Sequence, residues 1–217
     1  MRRICILVTM NKTFWAIIAV IILLFAGIVI LSKDKASAPT TDAQPTNHVV
    51  GEGTSGVTLV EYGDFECSGC AAYYPVVEQV KEKYKDQITF QYRHLPLVQL
   101  HPNAFAASRA AEAAAKQGKF WEMYDLLFQN QQAWSTQSDA TGTFEQYAGQ
   151  LGLDVEKYKQ DAASAEVNDI INADIAEFKK TGAQMSTPTF FLNGEQITPS
   201  GLEEFTKLID EAIAKNQ

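Results

Sequence analysis

Cys67 and Cys70 are separated by Ser68 and Gly69 in the stretch EYGDFECSGCAAYYP, residues 61–75. The third cysteine of the chain, Cys5, lies far away near the N-terminus. Two thiols at this spacing can ligate a metal, close a small disulfide, or exchange electrons with other thiols. A structural zinc site takes four Cys or His ligands, usually as two pairs. Beyond the cysteines the chain offers His48, His94 and His101, with no second pair at ligand spacing, so no metal is assigned. These histidines read as surface or internally satisfied residues. A purely structural disulfide here would close a very short loop and constrain the unfolded chain little. A reactive dithiol remains.

Such a dithiol needs particular elements around it. Val57 to Tyr62 (VTLVEY) is apolar and β-branched, which predicts a buried strand. From Ser68 to Tyr84 the apolar residues Ala71, Tyr74, Val77 and Val80 recur at helical intervals. Cys67 then stands at a helix N-terminus, with Cys70 one turn in. Unpaired backbone N–H groups and the positive end of the helix dipole favour the thiolate at Cys67. A lowered pKa makes Cys67 both a nucleophile and a good leaving group. Cys70, less exposed, can resolve a mixed disulfide.

The remaining pattern completes an α/β fold. Ile88 to His94 alternates as a second core strand, and a strand–helix–strand order implies a parallel pair. His48 to Val50 reads as a short edge strand. Helices are predicted over 103–117, 120–131, 143–151 with Thr143 as cap, 154–162 behind Asp154, and 165–181. A hairpin follows, 189–192 and 195–197 around an Asn193-Gly194 turn. Ser200 is read as the cap of a last helix over 202–215. The expected architecture is a mixed β-sheet with helices on both faces and a helical insertion, about residues 99–182.

The chain has 217 residues and a formal net charge of −8. Beyond residue 50 it carries 13 basic against 24 acidic side chains, with no basic cluster. Neutralising phosphates needs a basic surface, so a nucleic-acid partner is excluded. Residues 14–31 (FWAIIAVIILLFAGIVIL) are uncharged and, as a helix, would span roughly 27 Å, close to a bilayer core. The sequence thus predicts a cytoplasmic N-terminus over 1–13, a transmembrane helix over 14–31, a flexible linker over 32–46 and a globular domain over 47–217. The rival reading is a cleaved signal sequence, with Ala36-Ser37-Ala38 as cleavage site. The apolar run exceeds a usual signal core, and Pro39 would follow the cut. Both readings place the domain outside the cytoplasm, with the anchored one attaching it to the cell membrane.

The segment VTLVEYGDFECSGC resembles the active-site stretch of the DsbA family of thiol–disulfide oxidoreductases, within the thioredoxin superfamily. HPNAFAASRAAEAA and KFWEMYDLLF resemble that family's helical insertion, and STPTFFLNG its cis-proline loop and following strand. The resemblance covers about residues 47–215 and implies a thioredoxin-like fold. It implies that Cys67 is the exposed nucleophile, Cys70 its buried partner, and Glu61 a buried acid serving proton transfer at Cys70. It implies that Pro188 is a cis-proline facing the dithiol and that Thr187 pairs with bound peptide. Ser68 and Gly69, which tune the thiolate, depart from the family, where Pro and then an aromatic or His are usual. Ser186 stands where Gly is common. The resemblance implies reduced exported polypeptides as substrates, a quinone-linked membrane oxidant of the DsbB or VKOR type, and no bound cofactor. The absence of an added dimerisation domain favours a monomer. A reductase or isomerase is the alternative activity. A tethered peptide-binding or chaperone module is the non-enzymatic alternative, and it would not need Cys67.

Overall fold

The computed structural model describes residues 43–216. The predicted span 14–31 lies outside the described residues, and among the described residues no helix is long and apolar enough to cross a membrane. The described chain runs β1 (His48–Val50), β2 (Val57–Gly63), α1 (Ser68–Lys83) and β3 (Ile88–His94). Six helices follow: α2 (Ala104–Ala115), α3 (Phe120–Gln129), α4 (Gln131–Trp134), α5 (Thr141–Gln150), α6 (Val155–Ala162) and α7 (Ala165–Lys180). The chain closes with β4 (Thr189–Leu192), β5 (Glu195–Ile197) and α8 (Leu202–Lys215).

The five strands form one mixed sheet in the order β1-β3-β2-β4-β5. β2 and β3 are parallel, as their crossover through α1 requires, and the other pairings are antiparallel. Side chains alternate across a strand, so neighbours serve opposite faces. Leu59, Phe90 and Phe190 enter the core shared with Val77 and Val80 of α1 and Phe205 and Ile209 of α8. Tyr62 and Phe191 instead pack with Phe178 of α7 in a second cluster. The sheet is thus covered on both faces, and β2 lies at its centre. The six-helix insertion joins through an aromatic cluster in which Phe65 and Tyr92 meet Tyr124 and Phe128.

Several boundaries differ from the sequence reading. The helix expected over 120–131 ends at Gln129, and Gln131 opens the separate turn α4. Thr143 caps nothing; α5 begins two residues earlier, and the Thr143 hydroxyl donates to Gln137 Oε1 at 3.1 Å. Gly201, not Ser200, occupies the cap position of α8. Ser200 instead donates its backbone N–H and its hydroxyl to Glu204 Oε2, both at 2.8 Å. Asp154 does cap α6, accepting from Lys157 N at 3.0 Å. The Asn193-Gly194 turn has φ values of 49° and 83°, the left-handed pair a tight hairpin needs.

Gly63 ends β2 beneath the Tyr92 ring. A Cβ there would lie 2.5 Å from Tyr92 Cε2 and 2.8 Å from its hydroxyl. Gly63→Ala is therefore expected to lower stability by about 1–3 kcal/mol, as overpacking does in a dense core. Denaturant unfolding of the two proteins measures it; an unchanged midpoint would mean that Tyr92 moves aside freely.

Candidate active site

The central strand β2 delivers the chain to the dithiol. After Gly63 it turns through residues 64–66 and enters α1 with Cys67 in the N-cap position, φ −68° and ψ 122°. Asp64 shapes that turn. One of its carboxylate oxygens accepts from Glu66 N at 2.8 Å. The other accepts from Leu97 N at 2.8 Å and lies 2.7 Å from His101 Nδ1. Glu66 Oε2 accepts from Asn103 N at 2.6 Å, and Gln131 Nε2 donates to the carbonyls of Phe65 at 2.8 Å and Cys67 at 2.9 Å. The insertion thus clamps the turn that carries the nucleophile.

The two thiols are free and occupy different environments. Cys67 is 9% exposed, whereas Cys70 is fully buried. The Cys70 thiol donates to Cys67, and this contact is the main reason the Cys67 pKa drops from 9.0 to about 5. Burial opposes it, while the backbone N–H groups of Cys70 and Gly69 add to the lowering. Those N–H groups are the unpaired donors of a helix start. Cys70 moves the other way: burial pushes its pKa well above 9.0, and the Cys67 contact and the Glu61 charge push further. Asp64 N donates to Cys70 Sγ at 3.5 Å.

Opposite the thiols runs the loop before β4. The Thr187–Pro188 peptide is cis. In its thiol form Cys67 donates through Sγ to the Thr187 carbonyl at 3.4 Å. Gly69 faces the same loop: a Cβ on it would sit 3.4 Å from Pro188 Cδ and 3.5 Å from Cys67 Sγ. A side chain in place of Gly69 would therefore fill the space between proline and nucleophile. Thr189 Oγ1 donates to the Ser186 carbonyl at 2.7 Å and ties the loop ends together.

Glu61 lies below the pair, 2% exposed, flanked by Tyr92 on β3 and Phe190 on β4. Burial raises its pKa from 4.5 to about 8, against the lowering influence of Lys81. Its Oε2 has no hydrogen-bond partner among the described residues, and neither do the buried hydroxyls of Tyr92 and Tyr124.

The structure thus brings Glu61, Cys67, Ser68, Gly69, Cys70, Thr187 and Pro188 to one place. The sequence reading missed Asp64, Glu66, Asn103 and Gln131, which hold that place together. Asp64 and Glu66 stand within the quoted motif, a signal that was available. Asn103 and Gln131 act from 37 and 66 residues away, with no local signature. Gln131→Ala would strip the Phe65 carbonyl and the Cys67 carbonyl of their donor. It is expected to cost about 1–3 kcal/mol and to raise the Cys67 pKa by loosening the helix start. Denaturant unfolding and thiolate absorbance together check both parts.

A family model described as thioredoxin matches residues 43–211. The chain belongs to the thioredoxin family. Within it, the fold is DsbA-like. A thioredoxin-like oxidoreductase from Silicibacter pomeroyi is 27% identical with a TM-score of 0.61, over 77% of this chain and 90% of that one. The α-DsbA1 protein of Wolbachia pipientis superposes with a TM-score of 0.68 at 21% identity, over 80% of this chain and 94% of that one. Among curated proteins, a Na(+)/H(+) antiporter NhaA 1 from Mycolicibacterium gilvum is 39% identical over 154 residues, 69% of this chain and 24% of that protein. The chain spans about a quarter of the length of the curated relatives it matches.

Proposed function

We propose that this thioredoxin-family chain is a membrane-tethered, extracytoplasmic thiol–disulfide oxidase that passes a disulfide from Cys67–Cys70 to exported polypeptides. The observation that carries the reading is the separation of the two thiols, Cys67 lowered to about 5 and Cys70 raised by burial. A substrate thiolate attacks Cys67 Sγ in the oxidised pair. The Cys67–Cys70 bond breaks, a Cys67–substrate bond forms, and Cys70 leaves with the electron pair. Because Cys70 is buried and resists ionisation, it takes a proton, which protonated Glu61 supplies. A second substrate thiolate then attacks its own partner sulfur and expels Cys67 as a stable thiolate. The substrate has lost two electrons and the dithiol has gained them. In the reverse direction, Cys70 attacks Cys67 in the mixed disulfide and releases a reduced substrate.

Thr187 and Pro188 present backbone groups beside the reacting sulfur, suited to pairing with a substrate strand. A quinone-linked membrane oxidant of the DsbB or VKOR type would re-oxidise the pair, and no bound cofactor is required. The antiport activity named for the NhaA relatives is not carried to this domain, which shares only a quarter of their length.

The test is the reduction potential of the pair, set by equilibration with glutathione. An oxidase predicts a value towards the roughly −120 mV of DsbA; a value near the roughly −270 mV of thioredoxin would assign the domain to reduction instead.

A further inference from the structure

His48, His94 and Glu112 converge outside the dithiol site. His48 lies on the edge strand β1, His94 ends β3, and Glu112 is on α2 of the insertion. The Nε2 atoms of both histidines lie 2.7 Å from the same oxygen, Glu112 Oε1. Their ligand-capable atoms all fall within 4.8 Å of one another. We propose that this group is a binding site for one divalent transition-metal ion of the zinc type.

The donor set selects the metal class. Two imidazole nitrogens and one carboxylate oxygen suit zinc and its neighbours, whereas calcium and magnesium take oxygen ligands. Zinc bound to three protein ligands keeps a fourth position for water. Here the group is open on one side: His94 is fully buried and Glu112 nearly so, but the His48 side chain is 17% exposed. With tetrahedral bonds of about 2.0–2.2 Å the donor atoms would stand about 3.3 Å apart, so each 2.7 Å N–O gap would open by roughly 0.6 Å to admit the ion. The rings are already aimed. Phe120 stacks on His48 with centroids 3.5 Å apart and an 11° tilt. Phe65, Tyr92 and Phe120 surround the His94 ring. His94 Nδ1 has no partner among the described residues, so that ring's engaged nitrogen is the one facing Glu112.

Such an ion would join the sheet edge to the helical insertion. Through the His94–Phe65 contact it would also stiffen the turn two residues before Cys67, without touching either thiol. Sequence spacing could not suggest it, since Glu112 is 64 residues from His48 and 18 from His94.

The test titrates zinc chloride into the full-length oxidised chain, whose closed Cys67–Cys70 disulfide cannot ligate. One equivalent should bind. Free zinc at 100 times its dissociation constant should raise Tm by roughly 5–10 °C. His48→Gln and Glu112→Gln should each weaken binding at least about 10-fold. Absence of saturable binding, or equal binding by both variants, would overturn the proposal. Because Glu112 is buried, a spectrum that needs no variant accompanies the titration. Cobalt(II) added to the oxidised wild-type chain should give the intense visible bands of a four-coordinate ion. The pale spectrum of the hydrated ion would also overturn the site.

Discussion

The reduced protein should gain stability over the oxidised one as pH rises from 5, by about 2 kcal/mol at pH 7. The folded Cys67 pKa of about 5 lies below the ordinary 9.0, so folding favours its thiolate. A group depressed on folding contributes fully above its unfolded pKa and loses that contribution as pH falls through the folded value. The window is therefore pH 5 to 9. Each unit is worth about 1.4 kcal/mol, giving up to about 2.7 kcal/mol at pH 7 before allowance for screening of a thiolate that the fold shields only in part. Cys70 moves the opposite way and adds nothing until the pH exceeds its unfolded value. The oxidised form has neither group, and its short disulfide loop contributes a pH-independent amount. Denaturant unfolding of both forms at pH 4, 6 and 8 measures the gap. Parallel curves would show that Cys67 is an ordinary thiol in the fold. At about 30 mV per 1.4 kcal/mol, the expected gap of about 2 kcal/mol corresponds to a pair about 40 mV more oxidising than one with unshifted thiols.

The elements around the dithiol were legible because they obey local rules. The run VTLVEY, the helical recurrence of Ala71, Tyr74, Val77 and Val80, the Asp154 cap and the Asn193-Gly194 turn each carry their structure within a few residues. The resemblance supplied the distant partner Pro188. Long-range competition defeated the rest. The helix from Phe120 stops early where Asn130 turns its side-chain amide back to the Leu126 carbonyl, and Gln131 is drawn to the carbonyls of Phe65 and Cys67. Ser200 looks like a cap, but Glu204 takes both of its donors. Taken singly, each histidine reads as a surface or satisfied residue. Two of them share Glu112 Oε1, an arrangement created by strand pairing and by the docking of α2 rather than by any spacing. Burial of Glu61 was likewise decided by strand order, since only a central β2 hides both of its flanks.

Glu61→Gln should gain stability on the wild type as pH rises and should be less active. The folded Glu61 pKa of about 8 lies above the ordinary 4.5, chiefly through burial. A group raised on folding contributes its stability below the unfolded pKa and loses it as pH rises through the folded value. Between pH 4.5 and 7 the wild type should therefore lose about 3 kcal/mol relative to the glutamine variant, which does not titrate. A buried amide that fails to find partners costs about 1–3 kcal/mol, which shifts the whole curve but not its slope. The gap should stop widening above pH 8, where the carboxylate is fully ionised in both states. The same substitution removes the proton that Cys70 takes when it leaves. Proton transfer by a positioned group is typically worth at least about 10²-fold, so disulfide transfer should slow by about that factor at pH 7. Added alkali should not restore it, because the lost function is donation to a buried sulfur rather than ionisation of the exposed one. Stability curves and single-turnover rates over pH 4.5 to 9 provide the two readouts. A flat stability difference would show that Glu61 is solvated in solution. A normal rate beside a sloping stability difference would show a buried acid that takes no part in the exchange, leaving the proton to reach Cys70 by another route.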